Sequence, residues 1–222
     1  MPNKLQKFAD FDTFENCSFL PFEKIKEGHP LAGKWRSDYF KNDHPIILEL
    51  GCGRGEYTVG LAEHHPEKNY IGVDIKGNRI WTGAKYATDH KMKNVAFVRT
   101  RIDFIEHCFA AGEIDEIWIT FPDPQPGKSR ARKRLTHPWF LDRYRKILKP
   151  GGLVNLKTDN TGLYEYTLEV IAELMLPLLH STSDLYTHNP AGLEELTRIK
   201  TRYEQMFTEK GEKIKYCCFK LA

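Results

Sequence analysis

Apolar positions along the chain fall into short runs separated by segments of helical spacing. Ile46-Ile47-Leu48-Glu49-Leu50 reads as a buried strand, and Glu56 to about His65 as the helix that follows. Tyr70-Ile71-Gly72-Val73-Asp74 predicts a second strand, with a helix from about Asn78 to His90. Val95 to Val98 predicts a third, followed by a short helix near 103–110. Ile114 to Phe121 reads as a fourth strand, ending in Pro122-Asp123-Pro124. A helix is expected from about Pro138 to Leu148, where Lys149-Pro150-Gly151-Gly152 stops it. Leu153 to Thr158 is the fifth strand. Leu163, Thr167, Val170, Ile171 and Leu174 then share one face of a helix over 163–175. A weaker strand near 178–186, a helix over 193–210 and a final strand over 213–221 complete the pattern. Strands alternating with helices imply a parallel sheet covered on both faces.

Residues 1–44 carry aromatics without clear periodicity, and a helix is expected from about Pro30 to Lys41. They read as an N-terminal extension packing on a core domain over 45–222, with a substrate-contacting arm as the alternative. The length of 222 residues suits one domain with such an extension. The first thirty residues mix Lys, Asp and Glu with Phe, which predicts no signal peptide. No apolar run approaches membrane-spanning length. The five cysteines show no zinc spacing, so no metal is expected, and reduced thiols in the cytoplasm are the simplest reading. Cys217 and Cys218 adjoin on an expected strand and point to opposite faces.

The net charge of +3 is unevenly spread. Residues 128–149 hold nine basic residues and one acid, a net +8, which leaves −5 on the other 200. A local basic patch on an acidic chain suggests a polyanion held at one place. It begins directly behind Phe121-Pro122-Asp123-Pro124-Gln125-Pro126, whose prolines stiffen the backbone and deliver Asp123 to the strand end. Arg130, Arg132, Lys133 and Arg134 are therefore candidate contacts to a nucleic-acid backbone.

Asp74, Asp123 and Asp159 lie at or near strand C-terminal ends, where open α/β sheets bind ligands. Glu49 lies one residue inside its strand end. Gly51, Gly53 and Gly55 follow it at alternate positions. A dinucleotide loop needs Gly or Ala where this chain has Glu56, and a carboxylate there would face a pyrophosphate. Glu49 before the loop and Asp74 at the second strand end suit a ligand with positive charge and ribose hydroxyls. S-adenosylmethionine is such a ligand.

These residues together resemble the bacterial tRNA (guanine-N7-)-methyltransferases. The resemblance runs from about Leu48 onward and rests on five motifs in order: Leu48-Glu49-Leu50-Gly51-Cys52-Gly53-Arg54-Gly55, Gly72-Val73-Asp74, Phe121-Pro122-Asp123-Pro124, Lys157-Thr158-Asp159-Asn160 with Leu163-Tyr164-Glu165-Tyr166, and Thr201-Arg202-Tyr203-Glu204. It implies a Rossmann-like, doubly wound, mostly parallel seven-stranded sheet with an antiparallel C-terminal strand. It implies S-adenosylmethionine held by Glu49, Gly51, Gly53, Asp74 and Asp123, with Asp123 also catalytic. Asp159, Thr201, Arg202, Tyr203 and Glu204 would hold the guanine or its nucleotide. Where the family carries an acid or Asn near the adenine, this chain has Arg101, with Asp103 two residues on. The family's substrate lysine falls on Gly127, so its role is assigned to Lys128.

Guanine N7 has a free lone pair and needs no general base. Placement and electrostatic stabilisation are then the work required, and carboxylates suit both. The implied partner is tRNA, with no membrane, no obligatory protein partner, and a monomer or homodimer. The alternatives are an RNA methyltransferase of adenine N6 or guanine N2, or a non-catalytic RNA-binding protein that keeps the fold. A small-molecule methyltransferase gives the basic patch no purpose, and Glu56 disfavours a dehydrogenase.

Overall fold

The computed structural model describes residues 2–190, 193 and 195–221. Helix α1 (Lys4–Phe11) and strand β1 (Cys17–Phe19) precede the alternating region. That region runs β2 (Ile46–Leu50), α2 (Glu56–His64), β3 (Asn69–Asp74), α3 (Gly77–Asp89) and β4 (Val95–Arg99). It continues with β5 (Ile114–Thr120), α4 (Pro138–Ile147), β6 (Leu148–Thr158) and α5 (Thr161–Glu173), then β7 (Leu178–Thr182), α6 (Glu195–Arg198), α7 (Arg202–Glu209) and β8 (Lys215–Lys220).

The strands form one sheet in the order β1-β4-β3-β2-β5-β6-β8-β7. All neighbours from β1 to β6 pair in parallel, and β8 is antiparallel to both β6 and β7. The expected mostly parallel, doubly wound sheet with an antiparallel final strand is observed. It carries eight strands where seven were expected. The eighth is β1, three residues of the N-terminal segment that pair with β4 through Cys17–Phe97 and Phe19–Arg99.

Alternation along β2 sends Ile46, Leu48 and Leu50 to one face of the sheet and Ile47 to the other. The first face packs against α4 and α5, through Leu141, Tyr144, Leu163 and Ile171. The second packs against α1, α2 and α3, through Phe11, Tyr57, Ile80 and Ala84. Cys217 and Cys218 fall in opposite cores, as their adjacency on a strand requires. Thr167, on the apolar face of α5, bonds Thr136 at 2.8 Å inside the core.

Three local expectations are corrected. Residues 30–34 form turns, and the helical segment Trp35–Phe40 is a π-helix ended by left-handed Lys41. Trp35 is buried there, and its ring N–H donates to the Cys108 carbonyl at 3.0 Å. The segment near 103–110 is a 3-10 turn over Ile102–His107. The helix expected over 193–210 is two helices, because Thr201 caps α7 by accepting from the Glu204 N–H at 3.2 Å. Residue 194 of that segment lies outside the described residues. Among the described residues no helix is long and apolar enough to cross a membrane.

Candidate active site

The chain turns from β2–β4 back to β5 on the other side of β2, so the strand order reverses between β2 and β5. In doubly wound sheets that point opens a crevice at the strand C-terminal ends. Gly51, Gly53 and Gly55 have φ of 75°, 56° and 72°, in the left-handed region that a side chain resists. They serve different ends. A Cβ at Gly55 would lie 2.6 Å from the Phe97 ring, so this glycine lets α2 settle onto β4. A Cβ at Gly51 or Gly53 would meet nothing within 4 Å, because that backbone faces the crevice.

The loop's own amides are largely taken. Gly51 and Cys52 N–H donate to the Val73 carbonyl at 2.8 and 3.0 Å, and Gly55 N–H to the Cys52 carbonyl at 2.8 Å. Gly53 N–H donates to Asp74 Oδ2 at 3.0 Å, while Asp74 Oδ1 accepts from Lys76 N–H at 2.8 Å. Asp74 thus braces the loop as well as closing β3. A phosphate-binding loop offers its glycine amides to the ligand, and the three glycine amides here are already engaged.

A cleft of about 570 Å³ gathers Glu49, Gly51, Gly53, Asp74, Asp123, Asp159, Thr201 and Tyr203 along one wall-to-wall path. Glu49 is buried and accepts hydrogen bonds from the hydroxyls of Thr58 and Thr120. Burial pushes its pKa up to about 7, and the Asp74 charge adds to that, against the pull of the two hydroxyls. Asp123 is exposed, and its Oδ1 accepts from Gln125 N–H at 3.0 Å. Phe121 and Gln125, either side of it, both have φ of 46°. Such strain in non-glycine residues gathers at functional sites. The Phe121 ring stacks on Phe207 of α7, with centroids 6.3 Å apart. Asp159 is half-buried at the end of β6, and burial raises its pKa. Lys215 Nζ donates to its backbone carbonyl at 2.7 Å, which leaves the carboxylate for the cleft.

A second cavity of about 750 Å³ adjoins the cleft at Gly51 and Asp74. Its walls include Ile75, Ile102, Leu135 and Trp139. Arg101 lines it too, its guanidinium 3.2 Å from Asp103 and over the Phe104 ring. Arg132 and Lys133, from the 3-10 turn Lys128–Lys133, form its rim. Arg132 lies over the Trp139 ring at 5.3 Å, and Arg134 over Tyr166 at 4.3 Å. Aromatic faces thus hold these cations in place while leaving them accessible. Arg130 and Lys128 are exposed and line neither cavity, so Lys128 is not brought to the cleft wall.

The late segment divides. Thr201 and Tyr203 line the cleft. Arg202 is exposed, and its N–H donates to Glu56 Oε2 at 2.8 Å, which ties α7 to the start of α2. Glu204 is turned away from the cleft. Its side chain is 0% exposed and pairs with Lys157, also 0% exposed, at 2.8 Å. Tyr186 OH donates to it at 2.8 Å. In this arrangement Glu204 positions α7 and does not meet a base. Lys157 further donates to the Leu196 carbonyl at 2.5 Å. Burial lowers its pKa, and Glu204 opposes that.

Sequence reasoning missed Lys157, Thr58, Thr120, Arg54 and Arg79 around this site. Lys157 carried a signal, since a lysine inside an otherwise apolar strand implies a buried partner. The residues fit S-adenosylmethionine: an apolar cavity for a flat base, Asp74 at the junction for ribose hydroxyls, and Glu49 and Asp123 for a cation. Among the described residues no group of His, Cys, Asp and Glu is placed to hold a metal ion.

A family model described as a putative methyltransferase matches residues 43–217. The tRNA (guanine-N(7)-)-methyltransferase of Bacteroides thetaiotaomicron is 50% identical over 99% of this chain and 86% of its own length. Its counterpart in Christiangramia forsetii is 47% identical over 99% of this chain and 98% of its own. The one in Listeria monocytogenes is 35% identical over 86% of this chain and 87% of its own. Among solved structures, a 16S rRNA methyltransferase superposes with a TM-score of 0.59 at 13% identity, covering 91% of this chain and 94% of its own. A SAM dependent methyltransferase from Aquifex aeolicus has a TM-score of 0.55 at 8% identity, covering 100% of both chains. Those two likenesses speak to the fold alone.

Proposed function

This chain belongs to the tRNA (guanine-N(7)-)-methyltransferase family, and on that premise we propose that it transfers the methyl group of S-adenosylmethionine to N7 of a variable-loop guanine in tRNA. The reading is carried by one observation: Glu49, Asp74, Asp123 and Asp159 converge on a single cleft at the strand ends, beside glycines whose amides are already taken.

The cofactor supplies an electrophilic methyl group on a sulfonium. Asp74 accepts from ribose hydroxyls, and Glu49 and Asp123 face positive charge. Ile75, Ile102 and Trp139 wall the base of the nucleoside, with Arg101 at its mouth. The guanine brings its own lone pair at N7, so no residue has to remove a proton from the attacking atom. Methylation makes the ring cationic. Asp123 and Asp159 stabilise that charge and accept from the guanine N1–H and exocyclic amine. Thr201 and Tyr203 bound the base on the α7 side. The two left-handed residues around Asp123 hold its carboxylate in place before the base arrives, which avoids reorganisation during the reaction. Arg130, Arg132, Lys133 and Arg134 neutralise RNA phosphates beside the cavity. On this reading the enzyme works in the cytoplasm as a monomer or homodimer, without an obligatory protein partner.

The test is methyl transfer from isotopically labelled cofactor to an unmodified tRNA transcript, followed by mapping of the modified base. Label at N7 of a variable-loop guanine is expected. Label at adenine N6 or guanine N2, or none, rejects the reading.

A further inference from the structure

A third cavity, of about 390 Å³, opens beside the cleft on the side of α1, α3 and α7. Lys7, Arg54, Arg79 and Arg202 line it, together with Tyr203 and Met206, and no carboxylate does. Among the described residues the neighbouring acids form no ion pair with these four cations and are engaged by other donors. Asp10 accepts from the Trp81 ring N–H at 2.9 Å, Glu56 from the Arg202 backbone, and Asp74 from Gly53 and Lys76. Lys7 Nζ lies over the Trp81 ring at 4.7 Å, and Arg79 is half-buried. Cations gathered without an ion-pair partner repel one another, and the fold holds them together because four separate elements deliver one each: α1, the glycine loop, α3 and α7. An anion relieves that repulsion.

This cavity shares Gly53, Arg54, Arg79 and Tyr203 with the cleft, and shares no lining residue with the cavity rimmed by Arg132 and Lys133. The two groups of cations therefore flank the cleft on different sides. A guanosine brought out of a folded RNA into the cleft carries backbone on both its 5′ and 3′ sides. We infer that Lys7, Arg54, Arg79 and Arg202 form a second phosphate-binding subsite, gripping the RNA backbone on the side of the target nucleotide away from residues 128–134. This rests on the tRNA reading above. The N-terminal helix α1 is thereby a substrate-contacting element through Lys7, while Phe11 anchors it in the core.

The experiment compares wild type with Lys7→Gln/Arg202→Gln, whose side chains line this cavity and not the cleft, using an unmodified tRNA transcript titrated over a range of salt, with S-adenosylhomocysteine binding by calorimetry alongside. Each phosphate contact contributes about 0.7–0.9 to the slope of log K against log salt, so the double variant is expected to lose about 1.4–1.8. Cofactor affinity and melting temperature are expected to be unchanged. The charge-keeping variant Lys7→Arg/Arg202→Lys should retain the slope, which separates charge from packing. An unchanged slope in the Gln variant overturns the subsite. So does an unchanged slope with weakened S-adenosylhomocysteine binding, since the anion held is then the cofactor's carboxylate. A wild-type enzyme that neither binds nor methylates tRNA instead fails the functional reading itself, so the two failures are distinct.

Discussion

The turn over 128–134 and the segment over 201–204 both flank the cleft, and both looked from the sequence like substrate contacts. They are held in opposite ways. The turn keeps its charges in solvent, with Arg132 and Arg134 resting on the faces of Trp139 and Tyr166. The late segment places its acid, Glu204, wholly inside the protein against Lys157. Charge at the surface acts on a partner, at little cost to the fold. Charge in the interior acts on the fold, because desolvation makes an unpaired member costly. Two charged motifs of similar appearance therefore divide into accessible surface charge, the proposed handle for RNA, and a buried pair that rivets the wall of the site. Asp123 sits between them. Its loop runs into the basic turn on one side and rests on Phe207 of α7 on the other.

The sharpest way to break this contrast is at the rivet. Glu204→Ala leaves Lys157 buried and unpaired, and should cost about 3–5 kcal/mol of stability by denaturant unfolding. Replacing both partners, as Lys157→Met/Glu204→Leu, should recover most of that loss. If Glu204→Ala melts like wild type and fails only in tRNA affinity, the contrast collapses and Glu204 is a substrate contact. Next is Asp123→Ala, which should keep the melting temperature and lower kcat by about 10²–10³-fold. Near-wild-type turnover would place the chemistry elsewhere. Third, replacing Arg130, Arg132, Lys133 and Arg134 with Ala should leave the fold and cofactor affinity intact while removing about 2.8–3.6 from the salt slope of tRNA binding.

The smallest effect concerns Glu49. Its carboxyl holds its proton up to about pH 7 in the folded chain, against a reference of 4.5. A raised acid pKa means that the folded state binds this proton more tightly than the unfolded state. Stability from this group is therefore lost as pH rises from about 4.5 to about 7. S-adenosylmethionine, being cationic, favours the carboxylate. Its affinity should rise with pH up to about 7 and level off above it. Calorimetry at pH 6.5 in two buffers of different ionisation enthalpy should register proton release. Glu49→Gln should abolish both the release and the pH dependence.

Much of the scaffold was legible because it depends on local periodicity. The alternation of Ile46 to Leu50 and the apolar face of α5 each declare themselves within a dozen residues. The acids at the strand ends were legible for the same reason, since a strand's last residue can be read from its pattern. What escaped depends on partners far apart in sequence. Glu49 was visible as an acid, but its two hydroxyl donors lie 9 and 71 residues away. Glu204 was visible within a motif, but its cation lies 47 residues back in a strand. The strand β1 is three residues with no alternation to show, and it exists because β4 offers an open edge. The break before α7 hides in a motif whose resemblance points to substrate, because the same Thr201 that lines the cleft also caps the helix.

The place of β8 has a further consequence. It is the final strand in chain order, yet it lies inside the sheet, between β6 and β7. Until it inserts, β6 has an unpaired edge, and Lys215 does not hold the backbone at Asp159. The backbone at Asp159, on the cleft wall, is therefore secured only when β8 is in place. The strand order thus makes one wall of the cleft depend on a pairing between distant parts of the chain.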